Sequence, residues 1–477
     1  MKLAMTSKYL TQQKNVVKEL VDRLSKKFEF VSVLGVDTNG KNFRVNRSGT
    51  SIEDSMWTER GFLVRVYQNE MYSEYAFNKI SVEKLDTIEK EIILKTKVSE
   101  NVKRSPYVKL IKYPLLEEEE VVGSFIKNKD IETEKLDHQL IVDKLNSIKD
   151  NAFKKSDLLV NVIVGFEQVN ISKIYISNRK NLEQSYTWGN AVLAPIARKG
   201  QENKYFYEGF SSLNPMELLD QLESNYEEVV NKSLALLDAE KVTPGVYDII
   251  CEPDITGLIA HEAFGHGVEM DMFVKNRAKA VEYIEKPVAS ELVTMHDGAA
   301  SAEDVSSYAF DDEGVLAQDT VVIDRGILKT GISDVISALR LNKKPSGNGK
   351  RQSYHRKAYS RMTNTFFDGG KDKLEDMIKS IEFGYLITGM MSGMEDPKNW
   401  GIQCVAMMGE EIKDGKLTGK YVSPVIMTGY VPDLLKSISM MSEKVELFGT
   451  GVCGKGHKEL VKASDGGPYI KARVRLG

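Results

Sequence analysis

Hydrophobic residues along the first half of the chain switch between a helical and an extended spacing. Apolar positions three or four residues apart predict four helices, at residues 17–28, 85–92, 136–148 and 216–239. Runs rich in apolar and β-branched residues predict strands at residues 30–36, 158–166 and 173–177. Asn178-Arg179-Lys180-Asn181 is predicted as a hairpin turn after the last of these strands. The first half is therefore expected to mix helices and strands.

The second half has a different pattern, in which short apolar runs are separated by turns that contain glycine. These runs lie at residues 320–323, 384–388, 404–408 and 420–424. Asp324-Arg325-Gly326 and Lys413-Asp414-Gly415-Lys416 are predicted as hairpin connections. Such alternation of short strands and tight turns is typical of a mostly antiparallel β domain.

A break at Thr243-Pro244-Gly245 places the main domain boundary near residue 241. We expect an α+β fold, with a mixed helix and strand domain over residues 1–240. A mostly antiparallel, strongly curved β domain follows over residues 241–477. A further division of the first domain into residues 1–105 and 106–240 stays open. The length of 477 residues suits two or three domains of roughly 100–200 residues each.

The segment His261-Glu262-Ala263-Phe264-Gly265-His266 carries the clearest candidate chemistry. It places two imidazoles and a carboxylate in an apolar run, in a chain that has only six histidines. Imidazole is a good zinc ligand, and a carboxylate beside a bound metal can accept a proton from water that the metal activates. The segment therefore predicts a metal-hydrolase site, with the motif helix at the start of the β domain.

The two histidines are five residues apart, which a regular α-helix cannot accommodate at one ion. At roughly 100° per residue they would point about 140° apart around the helix. A π-type bulge would return both to one face, and Gly265 offers a place where the backbone can yield. Alternatively, the helix ends near Gly265 and His266 reaches the metal from the following loop. Both alternatives predict a local distortion between His261 and His266.

A catalytic zinc usually has three protein ligands and one open position, so a third ligand is needed. Of the three cysteines, Cys251 and Cys404 lie in apolar strand-like runs, and Cys404 is expected to be inert core. Cys453 lies instead among four glycines, with Lys455 nearby to favour the thiolate. Cys453 is therefore the candidate third ligand. Glu269 and Asp271 are either carboxylates that orient a ligand histidine or part of a solvated helix end.

These residues resemble the TldD/PmbA family of peptidases, once described as modulators of DNA gyrase, and specifically its TldD branch. Besides the histidine motif and Cys453, the similar segments are residues 61–66, 347–354, 361–365, 453–455 and 466–468. The resemblance implies that His261, His266 and Cys453 hold one Zn²⁺ per chain. The chain departs from the family pattern at Gly456-His457, which leaves open whether His457 also approaches the metal.

The resemblance implies a zinc-dependent peptidase that hydrolyses short or unfolded peptides. Glu262 would act as the general base on metal-activated water. An extended peptide is expected to add as a strand near residues 347–365 and 449–454, and Arg351, Tyr354 and Arg361 are the candidate substrate-binding residues. The expected assembly is a homodimer, or a heterodimer with a PmbA-type paralogue that lacks the metal motif. The alternative function is a non-catalytic peptide-binding or regulatory subunit of such a complex, against which the intact motif argues.

Composition indicates which classes of partner and which cellular compartment to expect. The 65 basic and 69 acidic residues give a net charge of −4, which argues against broad nucleic-acid binding. Three cysteines without regular spacing indicate a reducing compartment. The first residues lack the apolar core of a signal peptide, and no run approaches the ~20 apolar residues of a membrane span. We therefore expect a cytoplasmic protein that does not contact membranes.

Overall fold

A computed structural model describes residues 7–102, 111–126, 137–456 and 459–477. The α-helices in these ranges are α1 Lys8–Leu24, α2 Leu85–Val102, α3 His138–Phe153, α4 Glu217–Ala235, α5 Pro253–Leu258, α6 Met270–Val274, α7 Val335–Arg340, α8 Leu374–Lys379 and α9 Val431–Lys436. No helix in the part of the chain that is described is long and apolar enough to cross a membrane.

The strands of the first half are β1 Phe30–Asn46, β2 Gly49–Asp54, β3 Glu59–Gln68, β4 Met71–Phe77, β5 Val121–Ile126, β6 Leu159–Ser177, β7 Lys180–Lys199, β8 Glu202–Tyr205 and β9 Glu208–Ser212. Those of the second half are β10 Gly245–Cys251, β11 Met295–Asp297, β12 Thr320–Asp324, β13 Ile327–Leu328, β14 Gly349–Lys350, β15 Tyr359–Ser360, β16 Asn364–Phe367, β17 Phe383–Asp396, β18 Gly401–Lys413, β19 Lys416–Val422, β20 Val425–Tyr430, β21 Met440–Met441, β22 Glu446–Phe448, β23 Val452–Lys455, β24 Glu459–Lys462, β25 Ser464–Gly467 and β26 Ile470–Leu476.

The first half forms one nine-stranded sheet, in the order β4-β3-β1-β6-β7-β5, with β2, β8 and β9 paired at its sides. Helices α3 and α4 pack on one face through an apolar cluster that includes Leu145, Phe166 and Leu222. The predicted turn after residue 177 is confirmed, because β6 ends at Ser177 and pairs antiparallel with β7 from Lys180. The prediction of two separate strands at residues 158–166 and 173–177 was wrong. They form one strand, because the polar residues between them pair along both neighbours.

The second half is built around a closed β-barrel. Strands β10, β17, β18, β20 and β26 pair in sequence, and pairing of β10 with β26 closes the ring. Only the β10–β17 pair in this ring is parallel. The apolar core includes Ile255, Ile259 and Phe264 from the motif helix together with the inner barrel residues. The expected α+β fold with a strongly curved β domain is thus confirmed.

Two tight turns in this half follow the predicted positions. Arg325 and Gly326 connect β12 to β13 with φ angles of 44° and 81°, and Asp414 and Gly415 connect β18 to β19 with 50° and 72°. Two successive positive φ angles match the twist of a two-residue hairpin. The sequence signals for these hairpins are therefore confirmed.

A second sheet of the C-terminal half brings late residues to the motif helix. Its order is β13-β12-β11-β16-β25-β22, and β25 contacts α5 closely. Just before β25, strands β23 and β24 form a two-stranded hairpin that carries Cys453. The predicted boundary near residue 241 falls between α4 and β10 and stays a prediction. The two halves touch extensively, for example where Arg65 pairs with Glu313.

Candidate metal centre

The predicted distortion in the motif helix is present. Helix α5 begins with Pro253 in its first turn, where its missing N–H costs no hydrogen bond. The helix continues as a π-helix over Ile259–Phe264 and then as a 3₁₀ turn over Gly265–Val268. The extra residue of the π turn brings His261 and His266 to the same side, with ring centroids 5.4 Å apart. Both expected alternatives therefore contribute, since the π turn and the end of regular helix occur together.

Gly265 lies where this backbone change requires a residue without a side chain. A Cβ atom at Gly265 would lie 2.1 Å from the sulfur of Met362 and 3.0 Å from the carbonyl oxygen of Ala260. Met362 is fully buried in the core, so it has little room to move. Gly265 therefore permits the close approach of the motif helix to the segment that contains Met362.

Cys453 faces the two histidines from the β23–β24 hairpin. Its Sγ lies 3.7 Å from Nε2 of His266, and one ligand atom from each of the three residues lies within 4.8 Å of the others. Two ligands of a tetrahedral zinc, at about 2.0–2.3 Å from the ion, lie roughly 3.3–3.7 Å apart. The three donors are thus close to the spacing that one zinc ion needs, although Cys453 follows His266 by 187 residues in the sequence.

Glu262 points toward both imidazoles. Its carboxylate oxygens lie 3.9 Å from Nε2 of His261 and 3.7 Å from Nε2 of His266. The side chain is one-quarter exposed, so it can meet water and a substrate. Strand β17 crosses directly over it, with Gly393 close to the Glu262 side chain. Glu262 therefore lies on the side of the histidines where a metal would bind.

Each histidine also has a carboxylate beside its other ring nitrogen. Glu269 lies 3.2 Å from Nδ1 of His266, and Asp465 lies 3.6 Å from Nδ1 of His261. Carboxylates in this position fix the orientation of ligand histidines and leave Nε2 free for the metal. For Glu269 the structure favours the orienting role, since only 1% of its side chain is exposed. Asp271 contacts Lys455 and Lys275 instead, at 2.5 and 2.9 Å.

Basic side chains hold this arrangement to the hairpin. Lys455 binds Glu269 at 2.8 Å and also donates to the carbonyl oxygen of Ser360. Arg361 donates to the carbonyl oxygens of Cys453 and Glu459, at 2.6 and 2.9 Å. Because these donors bind the main chain on both strands of the hairpin, they fix the position of Cys453 relative to the motif helix.

The pKa shifts at the site follow from this crowding of charges. Burial alone would raise the pKa of Cys453, but His261 and His266 lower it well below its ordinary value. Burial lowers the pKa of His261, and the Cys453 thiolate, Glu262 and Asp465 together outweigh burial and raise it to about 9. Burial would raise the pKa of Glu269, but Lys455 and His266 bring it to about 2. Cys453 and Glu269 are therefore anionic at neutral pH.

Comparison with known proteins places the chain in a family. A family model described as the PmbA/TldA metallopeptidase C-terminal domain matches residues 244–474. A metalloprotease of Methanocaldococcus jannaschii is 25% identical over 426 residues, which is 89% of this chain and 92% of that protein. A metalloprotease TldD homolog of Buchnera aphidicola is 32% identical over 246 residues, which is 51% of this chain and 50% of that protein.

Solved structures show the same fold along the whole chain. A protein of Thermotoga maritima described as a modulator of a DNA gyrase matches with a TM-score of 0.75 and 17% identity, over 98% of this chain and 100% of its own. TldE from Thermococcus kodakarensis matches with a TM-score of 0.74 and 19% identity, over 96% of this chain and 99% of its own. The chain belongs to the TldD/PmbA family.

Within this TldD/PmbA protein, the candidate substrate residues make contacts of their own. Arg351 donates to Glu74 and to the carbonyl oxygen of Arg356, and Arg361 binds the hairpin main chain. Both guanidinium groups are buried. Tyr354 packs against the apolar cluster of Leu34, Val36 and Leu63. The structure thus gives these three residues roles in joining segments, and their contact with substrate stays a prediction. His457 lies outside the described residues.

Two acidic residues at the site of this family member were missed in the sequence. Asp465 precedes a glycine pair on β25, and its sequence neighbourhood contains no histidine. Glu395 is the second-last residue of β17, and both its oxygens are buried beside Gly267 without a hydrogen-bond partner among the described residues. The one available signal was Asp465 in the similar segment around residues 466–468. Cys404 is buried as expected, and burial raises its pKa to about 12; burial also raises the pKa of Cys251 well above its usual value.

Proposed function

We propose that this chain is a zinc-dependent peptidase of the TldD branch that hydrolyses short or unfolded peptides. The observation that carries the proposal is the convergence of His261, His266 and Cys453, with Glu262 facing Nε2 of both histidines. Support comes from relatives that are called metalloproteases. One of them is a zinc metalloprotease TldD homolog of Saccharolobus solfataricus, 28% identical over 230 residues, which is 48% of this chain and 51% of that protein.

The donor set fits a single zinc ion. Two nitrogens and one sulfur suit zinc better than magnesium or calcium, which prefer oxygen ligands. Three protein ligands leave the fourth position of a tetrahedral site for water or substrate. The low pKa of Cys453 favours the thiolate, which is the form that binds a metal. His261, His266 and Cys453 are therefore the residues that would hold the ion.

A bound zinc ion supplies Lewis acidity, which polarises a peptide carbonyl and makes water a better acid. Glu262 accepts the proton of the attacking water and returns it to the leaving amine. Glu269 holds the His266 imidazole in the orientation that directs Nε2 to the metal. Asp465 lies 3.6 Å from Nδ1 of His261, beyond hydrogen-bond distance, and acts on that imidazole through its charge. Because a thiolate ligand donates more electron density than a third imidazole, we expect modest turnover on selected peptides.

One of two small hairpins supports binding of an extended peptide. Strands β14 and β15 form one two-stranded ribbon, and β23 and β24 form another. The main-chain groups of Gly349 on β14 are already used, since its N–H donates to Asp311 and its carbonyl oxygen accepts from Asp312 N. An added strand would therefore pair with the β23–β24 ribbon, where main-chain hydrogen bonds give affinity without reading the peptide sequence. Such binding suits unfolded peptides, whose main chain is free.

The partner and compartment belong to the same proposal. The likeness to TldE supports a heterodimer with a paralogue that lacks the metal motif, and a homodimer is the second choice. All three cysteines are free, which agrees with a reducing compartment such as the cytoplasm. The molar mass of the purified protein alone and with a candidate paralogue distinguishes the two assemblies.

Elemental analysis of the purified protein tests the proposal. We expect about one zinc per chain in the wild type and in Cys251→Ala, which removes a buried thiol on β10. Cys453→Ala should lose most of the metal. A wild type that contains no zinc after gentle purification, or a Cys453→Ala variant that retains it, would overturn the three-ligand site.

A second measurement separates the enzyme from a binding subunit. Glu262→Gln keeps the size of the side chain and removes its basicity, so the variant should retain zinc and bind peptide but lose turnover. The cleavage of an unstructured peptide by the wild type and the variant is compared by mass spectrometry. Equal behaviour of the two proteins would favour the non-catalytic subunit instead.

A further inference from the structure

A cavity of about 80 Å³ lies between the N-terminal sheet and the C-terminal half, beside the β23–β24 hairpin. Trp57, Tyr186 and Trp188 from the sheet side and Tyr308 from the C-terminal half line it. The space is large enough for a few non-hydrogen atoms, and its aromatic walls suit an organic group. The reaction proposed above uses none of these residues.

Most of the charged groups that line the cavity already have partners. Among the carboxylates, Glu59 accepts from Ser353 and Tyr354, and Asp311 accepts from the backbone N–H groups of Glu313, Val315 and Gly349. Lys173 pairs with Asp312 at 2.5 Å, and Arg351 pairs with Glu74. Lys350 uses its three N–H bonds on the hydroxyl of Ser306 and on two carbonyl oxygens. An ammonium has three donors, so Lys350 has none left for a ligand.

Lys462 differs from these groups because it lacks a counter-ion. Its Nζ donates to the amide oxygen of Asn190 at 2.9 Å and lies 4.6 Å from the ring centre of Trp188. In the described part of the chain no carboxylate lies within 4.0 Å of it. Burial lowers the pKa of Lys462 to about 7, and the more distant Glu167 and Asp304 only partly oppose this. A buried amine without a counter-ion costs stability, so an anion in the cavity would be favourable.

Trp188 adds a second unused donor to the same cavity. Its side chain is 1% exposed, and its indole N–H is buried without an acceptor among the described residues. Buried polar groups are normally paired, and an unpaired donor beside an unpaired cation points to an acceptor ligand. Lys462 and Trp188 both line this cavity.

We infer that this cavity binds a carboxylate group of the peptide substrate, with Lys462 as the anchoring cation and Trp188 as a second donor. The inference rests on the proposed peptidase function. The carboxylate is either the C-terminus of the peptide or an aspartate or glutamate side chain. The aromatic walls pack against the carbon atoms that carry the carboxylate, which an inorganic anion would not provide.

The test measures peptide binding to the zinc-loaded Glu262→Gln protein, by calorimetry and by intrinsic tryptophan fluorescence, to which Trp57 and Trp188 of the cavity contribute. Four pentapeptides of neutral sequence are compared: free C-terminus, C-terminal amide, amide with one glutamate, and amide with glutamine in its place. We expect the carboxylate-containing peptides to bind about ten- to a hundred-fold more tightly, as for hydrogen bonds to charged groups. Preference for the free C-terminus or for the glutamate identifies the source of the carboxylate.

Variants at Lys462 assign the effect to the cavity. Lys462→Met in the same protein should abolish the preference, whereas Lys444→Met, at an exposed lysine, should preserve it. If Lys462→Met does not fold, Lys462→Gln and Trp188→Phe give the same comparison. The inference would be overturned if acid and amide peptides bind equally or do not bind. It would also be overturned if Lys462→Met still binds the carboxylate-containing peptides more tightly.

Cleavage of the same peptides by the wild type distinguishes a failure of the carboxylate site from a failure of the proposed peptidase function. If the wild type cleaves acid and amide peptides but the inactive variant binds them equally, the carboxylate site alone fails. If the variant prefers the acid and the wild type cleaves neither form, the peptidase proposal alone fails.

Discussion

At the scale of single residues, the two histidines are distinguished by what lies beside their Nδ1 atoms. Glu269 is fully buried and is stabilised as an anion by Lys455, at 2.8 Å, and by His266 itself. A buried carboxylate with a fixed partner holds its histidine in one tautomer and one orientation. The carboxylate therefore acts on the metal only through His266, as a positioning residue.

Glu269→Gln should weaken zinc binding by about 10–100-fold, because His266 loses the charged partner of its Nδ1 atom. The change is measured by competition with a chelating dye at fixed pH. Glu443→Gln, at an exposed carboxylate, serves as the control and should leave the affinity unchanged. An affinity equal to that of the wild type would show that Glu269 does not orient His266.

Lys462→Met should stabilise the metal-free protein at neutral pH. The folded-state pKa of about 7 lies below the unfolded value near 10.5, so the unfolded chain binds more protons between these values. The buried, protonated amine therefore destabilises the wild type most below pH 7. The wild type regains this stability as the pH rises toward 10, because the folded protein then holds Lys462 in its neutral form. The gain at pH 7 is on the order of a few kcal/mol at most.

Urea unfolding at pH 7 and pH 10 checks this sign. The free energy of unfolding of Lys462→Met should exceed that of the wild type at pH 7, and the difference between them should be smaller at pH 10. A difference independent of pH, or a less stable variant at pH 7, would contradict the assigned pKa of Lys462.

At the scale of elements, the π turn explains why the histidine spacing of five residues is compatible with one ion. The sequence predicted a distortion between His261 and His266, since the helical angle between them excluded a regular helix. It did not decide between a bulge and an early helix end, because that depends on Met362, which packs against Gly265 from 97 residues away. The spacing of the histidines was sufficient to predict the distortion, whereas its form depends on tertiary packing, which the local sequence does not show.

Gly265→Ala should destabilise the protein by about 1–3 kcal/mol and weaken zinc binding, because the new methyl group meets the buried sulfur of Met362. Met362→Ala removes that sulfur, so adding Gly265→Ala to it should cost less than in the wild type. A double-mutant cycle from unfolding curves measures the coupling. Additive effects would show that the clash with Met362 is not what excludes a side chain at Gly265.

At the scale of the whole molecule, non-local pairing limited what the sequence could predict. The first-half helices and the hairpins after Asp324 and Lys413 follow local patterns, and these were confirmed. Closure of the barrel depends on β10 pairing with β26, more than 200 residues later, and no local pattern encodes that register. Asp465 was missed for the same reason, since only the fold brings it to His261.

Zinc is expected to stabilise the folded C-terminal half, because the ligands come from two segments that only the fold brings together. A ligand at a thousand-fold excess over its Kd contributes about 4 kcal/mol. Thermal unfolding with and without a chelator should therefore show a clear loss of stability in the wild type. In Cys453→Ala the chelator should have little effect, and an equal loss there would mean that zinc binds elsewhere.

The buried ion pair of Arg65 and Glu313 constrains which substitutions such a protein can accept during evolution. Glu313 is fully buried, contacts Arg65 from the other half of the chain and accepts a hydrogen bond from Val335 N. Loss of Arg65 leaves the buried Glu313 carboxylate without a cation, which typically costs about 3–5 kcal/mol, whereas loss of Glu313 leaves Arg65 paired with Glu74 at 2.7 Å. The segment matched by the family model, residues 244–474, holds Glu313 without Arg65. A substitution of Arg65 in the first half is therefore expected to persist in evolution only with a matching change of Glu313 in the second half.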